Sequence, residues 1–283
     1  MSITVNTNIP SLTAQKSLNK STSAMNTAMQ RMSTGYKINS SKDDAAGMAV
    51  ATNLAYKASS YKIAQDNAQM GQSMLDTTEG VLDVIEDNLT RIRDLTEQAA
   101  NGTYGSDALA AMKSEISARI SEIDRVAASA DFNGKMIING SITSDIELQV
   151  GIGKAGSNST ISVSKDLFAN ANSESLLGKS WEDTTITDDE TAREFLANID
   201  KAIDEVTSRK TKIGGLQARI TSAMDTANIM QTNLTSAASL IQDADVAVES
   251  SNYIKQQILQ QTSASMLATA NQSSSIALNL IGG

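Results

Sequence analysis

The chain has 283 residues, a net charge of −9, one Pro, no Cys and no His, and aromatics make up 3% of it. Without Cys or His it has no disulfide, no thiolate chemistry, and neither the commonest general base nor the commonest metal ligand. The acidic balance argues against nucleic acid, whose phosphates need Lys and Arg, and no run of eighteen apolar residues offers a membrane-spanning helix.

Residues 1–42 contain Lys16, Lys20, Arg31, Lys37 and Lys42 and no acid, whereas residues 241–283 carry Asp243, Asp245 and Glu249 against Lys255. The first thirty residues hold no continuous apolar run, so no cleaved signal peptide is expected. Residues 4–33 read as a helix. Ala14, Leu18, Ser21, Met25, Ala28 and Met32 alternate spacings of four and three, a heptad seam of small and Met side chains that is marginal alone. Gly35 and the polar run to Ser41 break it, and Ser41 with Asp44 reads as a capping box for the next helix.

That helix is predicted from Ala45 to Ala100, with Leu82, Ile85, Leu89, Ile92, Leu95 and Ala99 as its seam and a length of roughly 80 Å. Asn101-Gly102 ends it. A helix over Asp107–Ser129 follows, with Leu109, Met112, Ile116, Ile120, Ile123 and Ala127 on one face. The short turn implies an antiparallel pair.

Residues 131–187 change character. Asn133-Gly134 and Asn139-Gly140 flank Met136, Ile137 and Ile138. Ile146, Leu148 and Val150 alternate, as do Ile161 and Val163, which is strand-like patterning between tight turns. The surrounding Ser, Asn and Gly mark this as the expected surface-exposed, tolerant region.

Helix is predicted again from Asp188 to Asn233, seamed by Phe195, Ile199, Ala202, Val206, Ile213, Leu216, Ile220, Ala223, Ala227, Met230 and Leu234, with one loose step before Ile213. Gly214-Gly215 interrupts it and implies close backbone packing or a bend. A last helix, Ala238–Ile281, carries Ile254, Ile258, Leu259, Met266, Leu267, Ile276, Leu278 and Leu280.

Motifs that would signal chemistry fail on their context. Gly151, Gly153 and Gly156 have dinucleotide-loop spacing, but a strand-like run follows where a helix N-terminus is required, so a Gly-rich hairpin loop is expected. Asp243, Asp245 and Glu249 lack the Gly and terminal Glu of an EF-hand. Gly178-Lys179-Ser180 lacks the upstream Gly of a phosphate loop. No catalytic residue, cofactor site or metal site is expected. The hydroxyls of 141–187 read as polar loop residues or as acceptors of O-linked sugars.

Several long segments, in this order, resemble bacterial flagellin: NTNIPSLTAQKSLNKS (Asn6–Ser21), RMSTGYKINSSKDDAAGMAVA (Arg31–Ala51), TTEGVLDVIEDNLTRIRDL (Thr77–Leu95), SEIDRVA (Ser121–Ala127), IGGLQARI (Ile213–Ile220), DADVAVESS (Asp243–Ser251) and Ile258–Leu280. The resemblance spans about residues 1–150 and 188–283 and omits the short middle. It implies a mainly α fold of long antiparallel helices in coiled-coil or helical-bundle layers, with a small β-hairpin-rich insert. Residues 1–42 with 238–283 would form terminal arms pairing in an inner tube. Residues 43–237, including the insert at 131–187, would form the outer layer, without large outer domains.

The implied function is that of a structural subunit polymerising with itself into the extracellular flagellar filament used for swimming. It would be exported by the flagellar type III route without a cleaved signal peptide. The implied partners are cap and hook-associated proteins and a cytoplasmic export chaperone, with no nucleic acid and no membrane insertion. The assembly residues expected are Leu18, Met25, Met32, Ile254, Ile258, Leu267, Leu278 and Leu280. By resemblance, Arg91, Leu95 and Glu115 match residues read by the innate immune receptor Toll-like receptor 5, in the segment LTRIRDLTEQ (Leu89–Gln98). A hook–filament junction protein and a type III secretion translocator are the alternatives.

Overall fold

The structure is a computed structural model that describes residues 7–153, 159–178 and 189–281, with the side chains of 273–281 outside the description. The chain is mainly α and divides into two compact units, one of residues 1–57 with 232–283 and the other of residues 58–231. Helix α1 (Ile9–Thr34) is followed by α2 (Ala45–Ala99) and α3 (Ser106–Ser129). Strands β1 (Asp131–Phe132), β2 (Lys135–Met136), β3 (Ile146–Gln149) and β4 (Thr160–Val163) come next. A 3₁₀ turn (Lys165–Phe168), α4 (Ser173–Leu177), α5 (Asp189–Gln242) and α6 (Val246–Ile281) complete the chain.

In the 58–231 unit the predicted seams become the core. Leu82, Ile85, Leu89, Ile92 and Leu95 of α2 are buried with Ile116, Ile120 and Ile123 of α3 and Phe195, Ile199, Val206, Ile213 and Ile220 of α5. Each such side chain contributes about 1.5–3 kcal/mol on leaving water. Polar pairs fix the helix directions. Arg91 of α2 bonds Glu115 of α3 at 2.9 Å, and Arg119 of α3 donates to Asn88 of α2 at 3.2 Å, so α2 and α3 are antiparallel. Arg93 to Asp200 at 2.8 Å and Gln217 to Glu79 at 2.7 Å make α2 and α5 antiparallel too. Between them Lys210 sits 2.6 Å from Asp83 and 2.5 Å from Glu86, and the two carboxylates raise its pKa well above the ordinary lysine range.

The loose step in the α5 seam is filled by Arg209, which is buried. Its Nε donates to Glu205 at 2.8 Å and its Nη1 to the Ala169 carbonyl at 2.8 Å, so a buried cation is satisfied on both sides. No apolar-periodicity search would place an Arg there.

The expectation of an exposed insert does not hold for most of its apolar residues, although Met136 is exposed. Asn133 and Gly134 take left-handed backbone (φ 52 and 76), the requirement of a two-residue turn that closes β1 on β2. Ile137 and Ile138 then enter the core, and β3 pairs antiparallel with β4, Leu148 opposite Ile161. Val163, Leu167 and Phe168 are fully or almost fully buried. Leu148 lies over Gly71 of α2 so closely that a Cβ there would come within 2.5 Å of its Cδ1. Polar residues line the loops while the alternate positions complete the helical core.

Gly151 and Gly153 sit in the β3–β4 connection, which leads to a strand and not to a helix N-terminus; Gly156 lies outside the described residues. Gly178 caps α4 with φ 72, and Lys179 and Ser180 are likewise outside. Helix α5 runs through 234–237 without a break and ends at Gln242, because nothing in Thr235-Ser236 stops a helix whereas Asp245 caps α6.

Gly214 and Gly215 are exposed in an unbroken stretch of α5, and a Cβ at either meets open space, so no close packing within the described residues explains them. Gly215→Ala is therefore expected to raise stability by about 1 kcal/mol, through helix propensity and a less mobile unfolded chain. Urea unfolding checks this; a loss of stability would mean that the position needs glycine.

Candidate assembly surface

The 1–57 and 232–283 unit is built on α1 and α6. Asn8 caps α1, its Oδ1 accepting from Ser11 N–H at 3.0 Å, with Pro10 in the first turn where its missing N–H costs nothing. Gly35 ends α1 in the left-handed conformation (φ 75). The predicted Ser41 cap gives way to Asp44, whose Oδ1 accepts from Gly47 N–H at 2.9 Å. Asp43 is occupied upstream: its carboxylate accepts the Ser40 and Asn39 amides at 2.9 and 3.1 Å, closing a turn that delays helix start. Those backbone N–H groups, Ser40 first, hold the Asp43 carboxyl below its ordinary range. The two connections clasp each other, with Lys37 N–H donating to the Gln242 carbonyl at 2.7 Å and Ala244 N–H to the Gly35 carbonyl at 2.8 Å.

Helix α6 pairs antiparallel with α1. Ser11 bonds Asn271 at 2.8 Å, Gln260 bonds Thr22 at 3.1 Å, and Arg31 bonds Glu249 at 3.0 Å, descending one helix as they ascend the other. The α1 side of the seam is the one read from sequence: Ala14, Ser21 and Ala28 are buried and Leu18, Met25 and Met32 half-buried. The α6 side is different. Glu249 and Ser263 are buried, and Tyr253, Gln256, Gln260, Leu267 and Ala270 are half-buried, a heptad whose occupants are mostly polar. The spacing of seven from Glu249 through Gln256 to Ser263 is visible in the sequence, but a search for apolar stripes passes over it.

A polar seam leaves the large apolar residues of α6 pointing elsewhere. Ile254 and Ile258 are 51% and 57% exposed, Met266 is 63% exposed, and Val246, Val248 and Leu259 are exposed with them. Helix α1 adds Ile9, Leu12 and Met29. The expected assembly residues thus fall into two sets: Leu18, Met25, Met32 and Leu267 inside the pair, Ile254 and Ile258 outside it. The side chains of Leu278 and Leu280 lie outside the described residues. So many large apolar side chains left in water on one helical pair point to an interaction surface. No helix among the described residues is long and apolar enough to cross a membrane.

Of the three residues expected at a receptor site, Arg91 and Glu115 form an exposed ion pair in the 58–231 unit, with side chains 45% and 38% accessible. Leu95 is 4% exposed and packs in the core, so it offers no direct contact surface.

A helical pair with a weak internal seam and apolar outer faces belongs to the class of self-associating structural subunits. Comparison with known proteins makes the class specific. Residues 5–143 match the bacterial flagellin N-terminal helical region and residues 196–281 the bacterial flagellin C-terminal helical region. A flagellin of Xenorhabdus nematophila is 34% identical, covering 99% of this chain and 100% of that protein. The flagellar filament 30.7 kDa core protein of Treponema maltophilum is 32% identical, covering 98% of this chain and 99% of that protein. A solved Vibrio parahaemolyticus structure assigned to a flagellar hook-associated protein shares the fold at 18% identity, with a TM-score of 0.59 over 71% of this chain and 99% of that one. The chain belongs to the bacterial flagellin family. That family is structural, so the chain is not an enzyme, and membership supports a subunit of the extracellular flagellar filament. The chain is a short form without a large variable domain.

Proposed function

We propose that the outward apolar face of α6, centred on Ile254, Ile258 and Met266, is where one subunit meets the next in the filament. The observation that carries this is that the α6 seam toward α1 is mostly polar, with Glu249, Gln256, Gln260 and Ser263, while Ile254, Ile258 and Met266 are more than half exposed. Each of these half-exposed side chains would contribute about 1 kcal/mol on complete burial, which sums to an appreciable association energy when repeated in every subunit. In this reading residues 1–42 and 238–283 are the inner-tube arms, and 43–237 are the outer layer that carries the insert. A marginal α1–α6 pair also suits passage through the type III export channel, with an export chaperone covering the C-terminal arm before assembly beneath a cap.

Ile254→Asp together with Ile258→Asp should abolish elongation of filament seeds while leaving helicity unchanged, because both positions are exposed in the subunit. Light scattering after seeding reads the first effect and circular dichroism the second. Elongation at the unsubstituted rate would rule the surface out.

Toll-like receptor 5 recognition is supported by Arg91 and Glu115, which present a rigid, exposed ion pair, with Leu95 shaping the helix from beneath. Arg91→Ala should lower the response of a receptor reporter to monomeric protein several-fold. An unchanged response would remove this site.

A further inference from the structure

Three Asn-Gly pairs occur in the described chain, and their surroundings differ in the one respect that governs their chemistry. We infer that Asn101, in the loop between α2 and α3, is a site of spontaneous covalent modification: deamidation through a succinimide. The reaction needs the backbone nitrogen of the following residue as an anion, a carbonyl carbon at Asn Cγ within its reach, and freedom to close a five-membered ring.

Asn101 meets all three needs. Residues 101–105 are exposed, and among the described residues Gly102 N–H makes no hydrogen bond. Thr103 N–H donates to Asn101 Oδ1 at 3.4 Å, which folds the side chain back over its own backbone and polarises the carbonyl to be attacked. A Cβ added to Gly102 would meet open space, so nothing crowds the attacking atom. The loop is anchored at its two ends, by Asn101 N–H to the Gln98 carbonyl and by Ala108 and Leu109 N–H to the Gly105 carbonyl, each at 3.1 Å. Between them Tyr104 N–H reaches the Asn101 carbonyl only at 3.4 Å, which leaves the Asn101–Gly102 peptide the freest part.

The other two pairs are guarded. Gly134 N–H donates to the Asp131 carboxylate at 3.1 Å, and a negative charge there disfavours the nitrogen anion. Asn133 is also fixed in the turn at φ 52. Asn139 has a side-chain turn like that of Asn101, with Ser141 N–H on its Oδ1 at 3.0 Å. It follows the buried Ile137 and Ile138, however, and Gly140 is held at φ 78 against Asn170, so the backbone cannot swing to close the ring.

The steps balance without any redox change. The deprotonated Gly102 nitrogen bonds to Asn101 Cγ, the Cγ–Nδ2 bond breaks, and ammonia departs with the transferred protons. Water then opens the ring. Addition at Cγ gives aspartate, and addition at the backbone carbonyl carbon gives isoaspartate, in which the chain runs through the former side chain. Either product places a negative charge beside the carboxyl end of α2, where the helix dipole opposes it.

Purified full-length protein should be held in mildly alkaline buffer and sampled over time. Peptide mass spectrometry locates amide-to-acid conversion, and an isoaspartyl methyltransferase labels the isomer. Conversion is expected first at Asn101, later at Asn139 and last at Asn133. Gly102→Ala, which the open space tolerates, should slow conversion at Asn101 several-fold through steric hindrance and leave the other two sites unchanged. Asn133 or Asn139 converting as fast as Asn101 in the unsubstituted chain, or an undiminished rate in a folded Gly102→Ala protein, would overturn the assignment.

Discussion

A chain lacking residues 1–40 is expected to lose filament elongation completely while its 58–231 unit stays folded. The deletion removes α1 and with it the α1 side of the α6 seam, including Ala14, Ser21 and Ala28 that are buried there, Ser11 and Thr22 that bond Asn271 and Gln260, and Arg31 that neutralises Glu249. What is left of that unit, besides the first turns of α2 and the last turns of α5, is α6, with a seam of Gln and Ser and a Glu249 that has lost its cation. Isolated helices are marginal in water even with good sequences, and ordering each residue costs about 1–2 kcal/mol of backbone entropy. The remaining arm should therefore be largely unfolded and unable to present Ile254 and Ile258 as one face. The 58–231 unit keeps its own core of Leu82, Ile85, Ile92, Ile120, Ile123 and Ile199. Thermal unfolding followed by circular dichroism should show one cooperative transition surviving, with helicity reduced. Seeded elongation by the truncated chain would contradict the role given to the helical pair.

The largest single-residue effect on stability is expected in the insert. Phe168→Ala should destabilise the 58–231 unit by about 3–5 kcal/mol, the usual cost of removing a buried aromatic ring and leaving a cavity. Phe168 is fully buried in the same core as Leu167, Val163 and Ile138, in a segment anchored by the Arg209 bond to the Ala169 carbonyl and by Ala171 N–H to the Ile138 carbonyl at 2.9 Å. Native domains have only about 5–15 kcal/mol in hand, so the variant would sit near the edge of folding. Urea unfolding gives the number. A loss of less than about 1 kcal/mol would mean that the insert can be trimmed without touching the core.

The long helices were legible because their apolar residues recur at heptad spacing over many turns. Leu82 to Ala99 and Phe195 to Val206 are buried as their periodicity requires. Helix ends were less legible. Competing caps such as Asp43, Asp44 and Ser41 lie within a few residues of one another, and only hydrogen-bond geometry separates them. The hairpins of the insert are legible from their turns and alternation, but the burial of its apolar residues is not: two such residues as Ile137 and Ile138 carry no period, and a Ser- and Asn-rich surround hides them. The α6 seam shows the opposite error. Its buried positions are mostly polar while Ile254, Ile258 and Met266 are exposed, so the usual equation of apolar with inside points away from the pairing partner. That inversion is expected of a surface completed by another copy of the chain, since a side chain selected for burial in the assembly is exposed in the subunit.

The claim that this chain assembles through its terminal helices is tested most directly by negative-stain electron microscopy of the purified full chain after addition of filament fragments. Long tubes of uniform diameter growing from the seeds are the predicted result. A chain that adds once to seed ends and never elongates would contradict it and would favour a hook–filament junction protein instead.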